Sequence, residues 1–402
     1  MVEAGRHASP RTTVVRYERG SQMQSTAIAE SAETSADLPP GAPFVLSRPH
    51  GTVIADGIRT GYDSARDAAA ALRNGTATSV VGALAFDPSH PAALIAPQAL
   101  RHHPGSWTPR LQALPRVRAG ESIPPEDEHI SRVAAAIHVL REPDATLHKV
   151  VLARSVVLHA DEPLHPHALL AQLVANDLGG NGFSVDLSAA GTGWSGRHLV
   201  GSSPEVLIRR RGNTVTCHPL AGSAPRHTDP EIDRLTAENL ASSEKNLREH
   251  ALVVEALRAS LEPFCTELDI PDRPTLTSTP QLWHLGTPVS GRLRDRSVTA
   301  LDLAVAVHPT PAVCGTPTDA ARALIGELEG DRGFYAGAVG WADADGDGEW
   351  MVTIRCAQID ADRTTVTAYA GGGIVAASEP DDELAETTTK LGTVLAALGL
   401  PR

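Results

Sequence analysis

The chain has 402 residues, of which 42% are hydrophobic but only 3% aromatic, and its formal net charge is −13. That length supports one large domain or two or three ordinary ones, with an aliphatic, alanine-rich core. The acidic balance excludes nucleic acid and an anionic membrane surface as the main partner, while leaving room for local basic pockets.

Residues 1–42 are rich in Ser, Thr, Ala, Glu and Arg without apolar periodicity, and are expected to be a disordered leader in which Met23 is an alternative start. The leader has no charged n-region followed by an apolar h-region, and no apolar run approaches a membrane span. Folded sequence is expected over 43–402 as one domain, opening at Pro43-Phe44-Val45-Leu46. Pro104–Pro125 reads as a connector, and Ser131–Arg141 as a helix with Val133, Ile137 and Leu140 on one face. A strand is expected over His148–Leu158, then a hairpin of Val206–Arg209 and Thr214–Cys217 about Gly212-Asn213. Asp229–Pro263 carries helical periodicity. Trp350–Ala357 and Thr365–Ala370 read as paired strands, and a last helix runs from Asp381 to Leu398. Strands and helices without strict alternation predict an α+β fold. Cys217, Cys265, Cys314 and Cys356 lie far apart with no CxxC, which fits buried thiols in a reduced, cytoplasmic protein.

Two helical glutamates carry the strongest chemical signal. Glu249 lies in Ser243-Glu244-Lys245-Asn246-Leu247-Arg248-Glu249-His250, and Glu386 in Asp382-Glu383-Leu384-Ala385-Glu386, with Lys390 one turn on. Carboxylates from two helices suit a hard cation such as Mg²⁺. Glu249 shares a face with Lys245, so an i,i+4 ion pair is the alternative; Glu383, Glu386 and Lys390 share another face, which a solvated surface would also explain. Gly371-Gly372-Gly373 is expected to enter the last helix and offer bare backbone to an anion.

Lys149 heads an apolar strand, where desolvation would make it a usable base; a solvent-facing strand start is the plainer reading. Glu205, after Ser202-Ser203-Pro204, is either a carboxyl with a raised pKa or an ordinary edge glutamate. Gly222-Ser223 offers either anion donors or a turn. Arg355, within an apolar strand, needs a substrate carboxylate or a buried ion-pair partner. Asp343–Gly348 imitates half a calcium loop, but Ile354 stands where the bidentate glutamate belongs, so a tight turn is expected. The glycine run also lacks the P-loop pattern.

In order, the segments Lys149–Arg154, Ser203–Glu205, Pro219–Ser223, Ser243–His250, Leu282–Leu285, His308–Gly315, Asp331–Gly337, Gly348–Ala357, Ala370–Val375 and Glu386–Leu391 resemble those of the chorismate-utilising enzymes. The resemblance covers roughly residues 145–400. It implies two large, mainly antiparallel sheets surrounded by helices, with chorismate bound between them. It implies Lys149 as the base that activates water, Glu205 as the acid that protonates the departing C4 hydroxyl, and Glu249 and Glu386 as Mg²⁺ ligands backed by Glu383. Gly222, Ser223, His284, Ala312, Tyr335, Arg355, Gly371 and Lys390 match substrate-contacting positions. Within the family, His308–Gly315 and Glu349–Ala357 look most like isochorismate synthases; Val313 stands where salicylate synthases often carry threonine. The expected activity is isomerisation of chorismate to isochorismate by a monomer, serving siderophore, menaquinone or specialised metabolism. Salicylate formation with loss of pyruvate, or an aminating reaction, are the alternatives.

Overall fold

Phe44, Val45 and Leu46 are fully buried because the strand Phe44–Arg48 is paired on both sides, antiparallel, with Gly51–Tyr62 and Gly182–Asp186. The computed structural model describes residues 38–279 and 281–401. Most of the expected leader, residues 1–37, lies outside the described residues; Leu38 and Ala42, at its end, pack on an apolar cluster with Val45 and Leu158. Among the described residues every strand pairing is antiparallel, which fits the expected α+β class. Hydrogen bonds link strands into one network of 17, and the second sheet is a small one of three strands, Leu220–Pro225, Leu282–Gly286 and Thr275–Ser278. No helix among the described residues is long and apolar enough to cross a membrane.

The central strand is Lys149–Ala160. One edge pairs along its length with Thr365–Ile374; the other pairs with Gly315–Thr316 at its start and Val117–Ile123 further on. The last of these corrects the expected connector Pro104–Pro125, which contains a strand whose run of exposed residues, Arg118-Ala119-Gly120-Glu121, shows no period of two. The helix expected from Ser131 begins at Glu126, its acidic first turn favoured by the helix dipole.

Asp229–Pro263 is two helices, Pro230–Ser242 and Glu244–Leu261. Ser243 divides them: its backbone is extended, and its hydroxyl accepts from the Asn246 N–H to cap the second helix. That cap directs Glu249, Val253, Leu257 and Leu261 inward along one face.

Two expectations about strands fail. The single strand over Trp350–Ala357 is broken into Gly348–Val352 and Cys356–Ile359, because Arg355 adopts φ 52°. The glycine run does not enter the last helix; Gly371–Gly373 closes the strand Thr365–Ile374, and the helix starts later, at Pro380. The hairpin at Gly212-Asn213 forms as read, and Asp343–Asp347 is a tight turn, with the Gly346 N–H bonded to the Asp343 carbonyl. Gly346 has φ 86°, and a side chain there would run into the Arg210 guanidinium, which favours glycine at this turn.

Candidate active site

The start of the central strand, the glycine run, the helix Glu244–Leu261 and the helix Pro380–Ala397 meet at one cleft of about 710 Å³, part of it continuous with solvent. Of the residues nominated from sequence, Glu205, Gly222, Ser223, Glu249, His284, Ala312, Tyr335, Arg355, Gly371, Glu386 and Lys390 line it. Lys149 and Glu383 stand directly behind that lining.

Lys149 is 1% exposed, which rejects the solvent-facing reading, and its Nζ lies 2.9 Å from Glu249 Oε1. Glu249 thus pairs with Lys149 behind the cleft and not with Lys245, whose Nζ reaches Glu383 Oε1 at 3.2 Å. Glu386 Oε1 accepts from the Ser223 hydroxyl at 2.6 Å and from Lys390 Nζ at 2.6 Å. Lys390 also donates to the Gly371 carbonyl at 2.8 Å. Buried Arg154 fixes the last helix to the central strand by donating to the hydroxyls of Thr387 at 2.9 Å and Thr388 at 2.6 Å.

The glycines are needed for close approach. A Cβ on Gly373 would lie 2.5 Å from Glu249 Oε1 and 2.9 Å from Lys149 Cε; on Gly372, 2.9 Å from Glu383 Oε2; on Gly371, 2.9 Å from the Tyr335 hydroxyl. Gly222, at φ 80°, lets the strand Leu220–Pro225 bulge beside Asn246. Their use is therefore steric, and the anion site expected at a helix N-terminus is not what the run forms.

Burial pushes the Glu205 carboxyl up to about 7, against a hydrogen bond from the Leu220 N–H and the charges of Lys149, Lys390 and Arg355. His284 is pushed down to about 3 by burial and by Arg355 and Lys390, so its ring is neutral. Its Nε2 is buried without a hydrogen-bond partner. Burial also pushes the Arg355 guanidinium down to about 10. Among the described residues Arg355 forms no ion pair, so the buried structural pair considered from sequence is not made. In the acidic pair on the last helix, burial and the Glu386 charge raise Glu383, while for Glu386 burial is outweighed by Lys390, Ser223 and Lys245.

Among the described residues no three acidic, histidine or cysteine side chains form a ready metal cage. Each of Glu249, Glu383 and Glu386 instead has a lysine partner. The chemistry of the donors nonetheless suits a hard cation: they are carboxylate oxygens, those of Glu249 and Glu383 lie against bare glycine backbone, and Glu383 Oε2 is buried without a hydrogen-bond partner.

Sequence reasoning missed Tyr369 and His250. Tyr369 lines the cleft and stacks on Tyr335, with ring centroids 5.0 Å apart. Its signal was the period of two that it shares with Gly371 and Gly373. His250, pushed down to about 4 by burial, donates from Nδ1 to the Ala221 carbonyl at 3.2 Å and accepts at Nε2 from Thr287 at 2.7 Å. It thereby holds the bulge before Gly222; no sequence signal marked it.

Known proteins share this architecture. The family model described as chorismate binding enzyme matches residues 98–399. A Mycobacterium tuberculosis protein provisionally named isochorismate synthase MenF is 54% identical over 368 residues, covering 91% of this chain and 98% of that protein. The isochorismate synthase DhbC of Bacillus subtilis is 42% identical over 385 residues, covering 90% of this chain and 94% of its own. The crystal structure of a Bacillus anthracis protein, provisionally a 2,3-dihydroxybenzoate-specific isochorismate synthase DhbC, superimposes with a TM-score of 0.83 at 38% identity, over 91% of this chain and 99% of that one.

Proposed function

The chain belongs to the chorismate-binding enzyme family, and from that premise we propose that it converts chorismate to isochorismate, adding water at C2 as the C4 hydroxyl departs. One observation carries the reading: a buried amine, Lys149, stands directly behind the lining of a cleft that holds a buried carboxyl with a pKa of about 7, Glu205, and the unmatched cation Arg355. In this reading Lys149 takes a proton from the attacking water. Glu205, which keeps a proton up to about pH 7, gives that proton to the departing C4 oxygen. Arg355 and Lys390 supply positive charge for the two carboxylates of chorismate, with Ser223, Gly222 and Gly371 beside them. Tyr335 and Ala312 wall the ring, and neutral His284 offers a hydrogen-bonding nitrogen with no protein partner.

The proposal includes Mg²⁺. Glu249 and Glu386 would hold it, with Glu383 behind them, and when bound it would neutralise charge on the ring carboxylate. Its support is the chemistry of these carboxylate donors and the unpartnered, buried Glu383 Oε2. The four cysteines are free and buried, which supports a reduced cytoplasmic setting. The monomeric state and the service of siderophore, menaquinone or specialised metabolism belong to the same proposal.

The test is incubation of the protein with chorismate and Mg²⁺, with products identified by chromatography and mass. Isochorismate approaching equilibrium with chorismate is expected. An aminated product formed with ammonia, or no consumption of chorismate, would overturn the assignment.

A further inference from the structure

Two walls of the cleft are joined by a side chain that does not line it. Arg332 is 7% exposed, and its guanidinium donates to the Val313 carbonyl at 2.9 Å and the Val151 carbonyl at 2.7 Å. Both valines line the cleft. Glu329 accepts the remaining fork of the guanidinium at 2.8 and 2.7 Å, and its Oε1 also accepts the Ala153 N–H at 2.6 Å. Phe86 covers the guanidinium, 4.6 Å from its ring centroid. Val151 and Ala153 lie on the strand that begins at Lys149, whereas Val313 lies in irregular chain between the helix Ala300–Val307 and the strand Gly315–Thr316. One backbone bond, from the Val151 N–H to the Cys314 carbonyl at 2.8 Å, already joins the two segments; the carbonyls of Val151 and Val313 themselves are held by Arg332.

We propose that Arg332, held by Glu329, is a positioning residue for the substrate: by clamping the Val151 and Val313 carbonyls it fixes the orientation of two walls of the cleft that a single backbone bond, Val151 N–H to the Cys314 carbonyl, would leave free to pivot. The inference rests on the chorismate reading above. A planar guanidinium can hold two carbonyls and a carboxylate in one fixed geometry; an ammonium on a flexible stem cannot. Loosening the clamp moves the wall by fractions of an ångström, and misplacement on that scale is costly in a site that must orient its ligand.

Arg210 supplies a matched control. It is 2% exposed and donates to the carbonyls of Gly212, Val298, Arg296 and Asp345, none of which lines the cleft. The experiment compares wild type, R332K, E329Q and R210K by chorismate KM, kcat and thermal midpoint. R332K is expected to raise KM about tenfold or more, with E329Q intermediate. R210K should lose comparable thermal stability at wild-type KM. An unchanged KM in folded R332K and E329Q, or an equal KM shift in R210K, would overturn the proposal. A wild type that consumes chorismate to another product overturns the functional reading and leaves the KM comparison valid; one that neither binds nor consumes it overturns both.

Discussion

Lys149 and Glu249 meet at 2.9 Å behind the cleft, and both press against the backbone of Gly373. The pair joins a strand to a helix a hundred residues away, and burying it costs desolvation that the contact need not recover. Its value is therefore better sought in the site than in stability.

Gly373→Ala tests that relationship. The added methyl would lie 2.5 Å from Glu249 Oε1, so the carboxylate has to move. Turnover should fall about 10- to 100-fold, the scale of a small misplacement at a catalytic group. Circular dichroism should show the fold retained. Wild-type turnover in this variant would mean that the close contact of Lys149, Glu249 and Gly373 is dispensable.

Glu205 gives a pH prediction with a definite sign. Its carboxyl keeps a proton in the folded protein up to about 7, against 4.5 for an ordinary glutamate. Between those values the folded state binds more protons than the unfolded chain, so this group's stabilising contribution is complete below that window and is lost as pH rises through it. The thermal midpoint of Glu205→Gln, measured relative to wild type, should improve from about pH 5 to about pH 8. Wild-type kcat should decline above about pH 7, and the variant should lose about 10²-fold or more throughout. A wild-type profile flat to pH 9 would remove Glu205 from the role of acid.

The three carboxylates predict a metal response with two readouts. EDTA should abolish turnover and Mg²⁺ restore it, and Mg²⁺ should raise the thermal midpoint of the wild type. Glu249→Ala and Glu386→Ala should lose the thermal response. Full activity in metal-free buffer would sink the Mg²⁺ proposal.

Much of the site was legible because its chemistry sits on regular elements. Glu383, Glu386 and Lys390 project together because helical spacing allows it, and all three take part in the ion-pair network around the cleft. The helical periodicity over Asp229–Pro263 was legible, but its division at Ser243 was not, because Ser243 suits a cap as readily as an interior position. The break at Arg355 was hidden because apolar residues continue through it; positive φ in an arginine leaves no local mark. The glycine run was noticed, but its purpose was not, since only the fold brings Glu249, Glu383 and Tyr335 against it. The Arg332 clamp depends on carbonyl positions, which no side-chain pattern encodes.

Val313 yields the last prediction, on where the reaction stops. Elimination of pyruvate from isochorismate requires the C2 hydrogen to move onto the enolpyruvyl group in a pericyclic geometry, so that group must be held over the ring. The Val313 side chain lines the cleft and offers no hydrogen bond to hold it. Isochorismate should therefore accumulate with little pyruvate, as followed by a coupled lactate dehydrogenase assay without any partner lyase. Val313→Thr, which adds a hydroxyl at similar volume, should raise the pyruvate released per chorismate consumed. Stoichiometric pyruvate from the wild type would make salicylate synthesis the correct reading and exclude isochorismate as the end product.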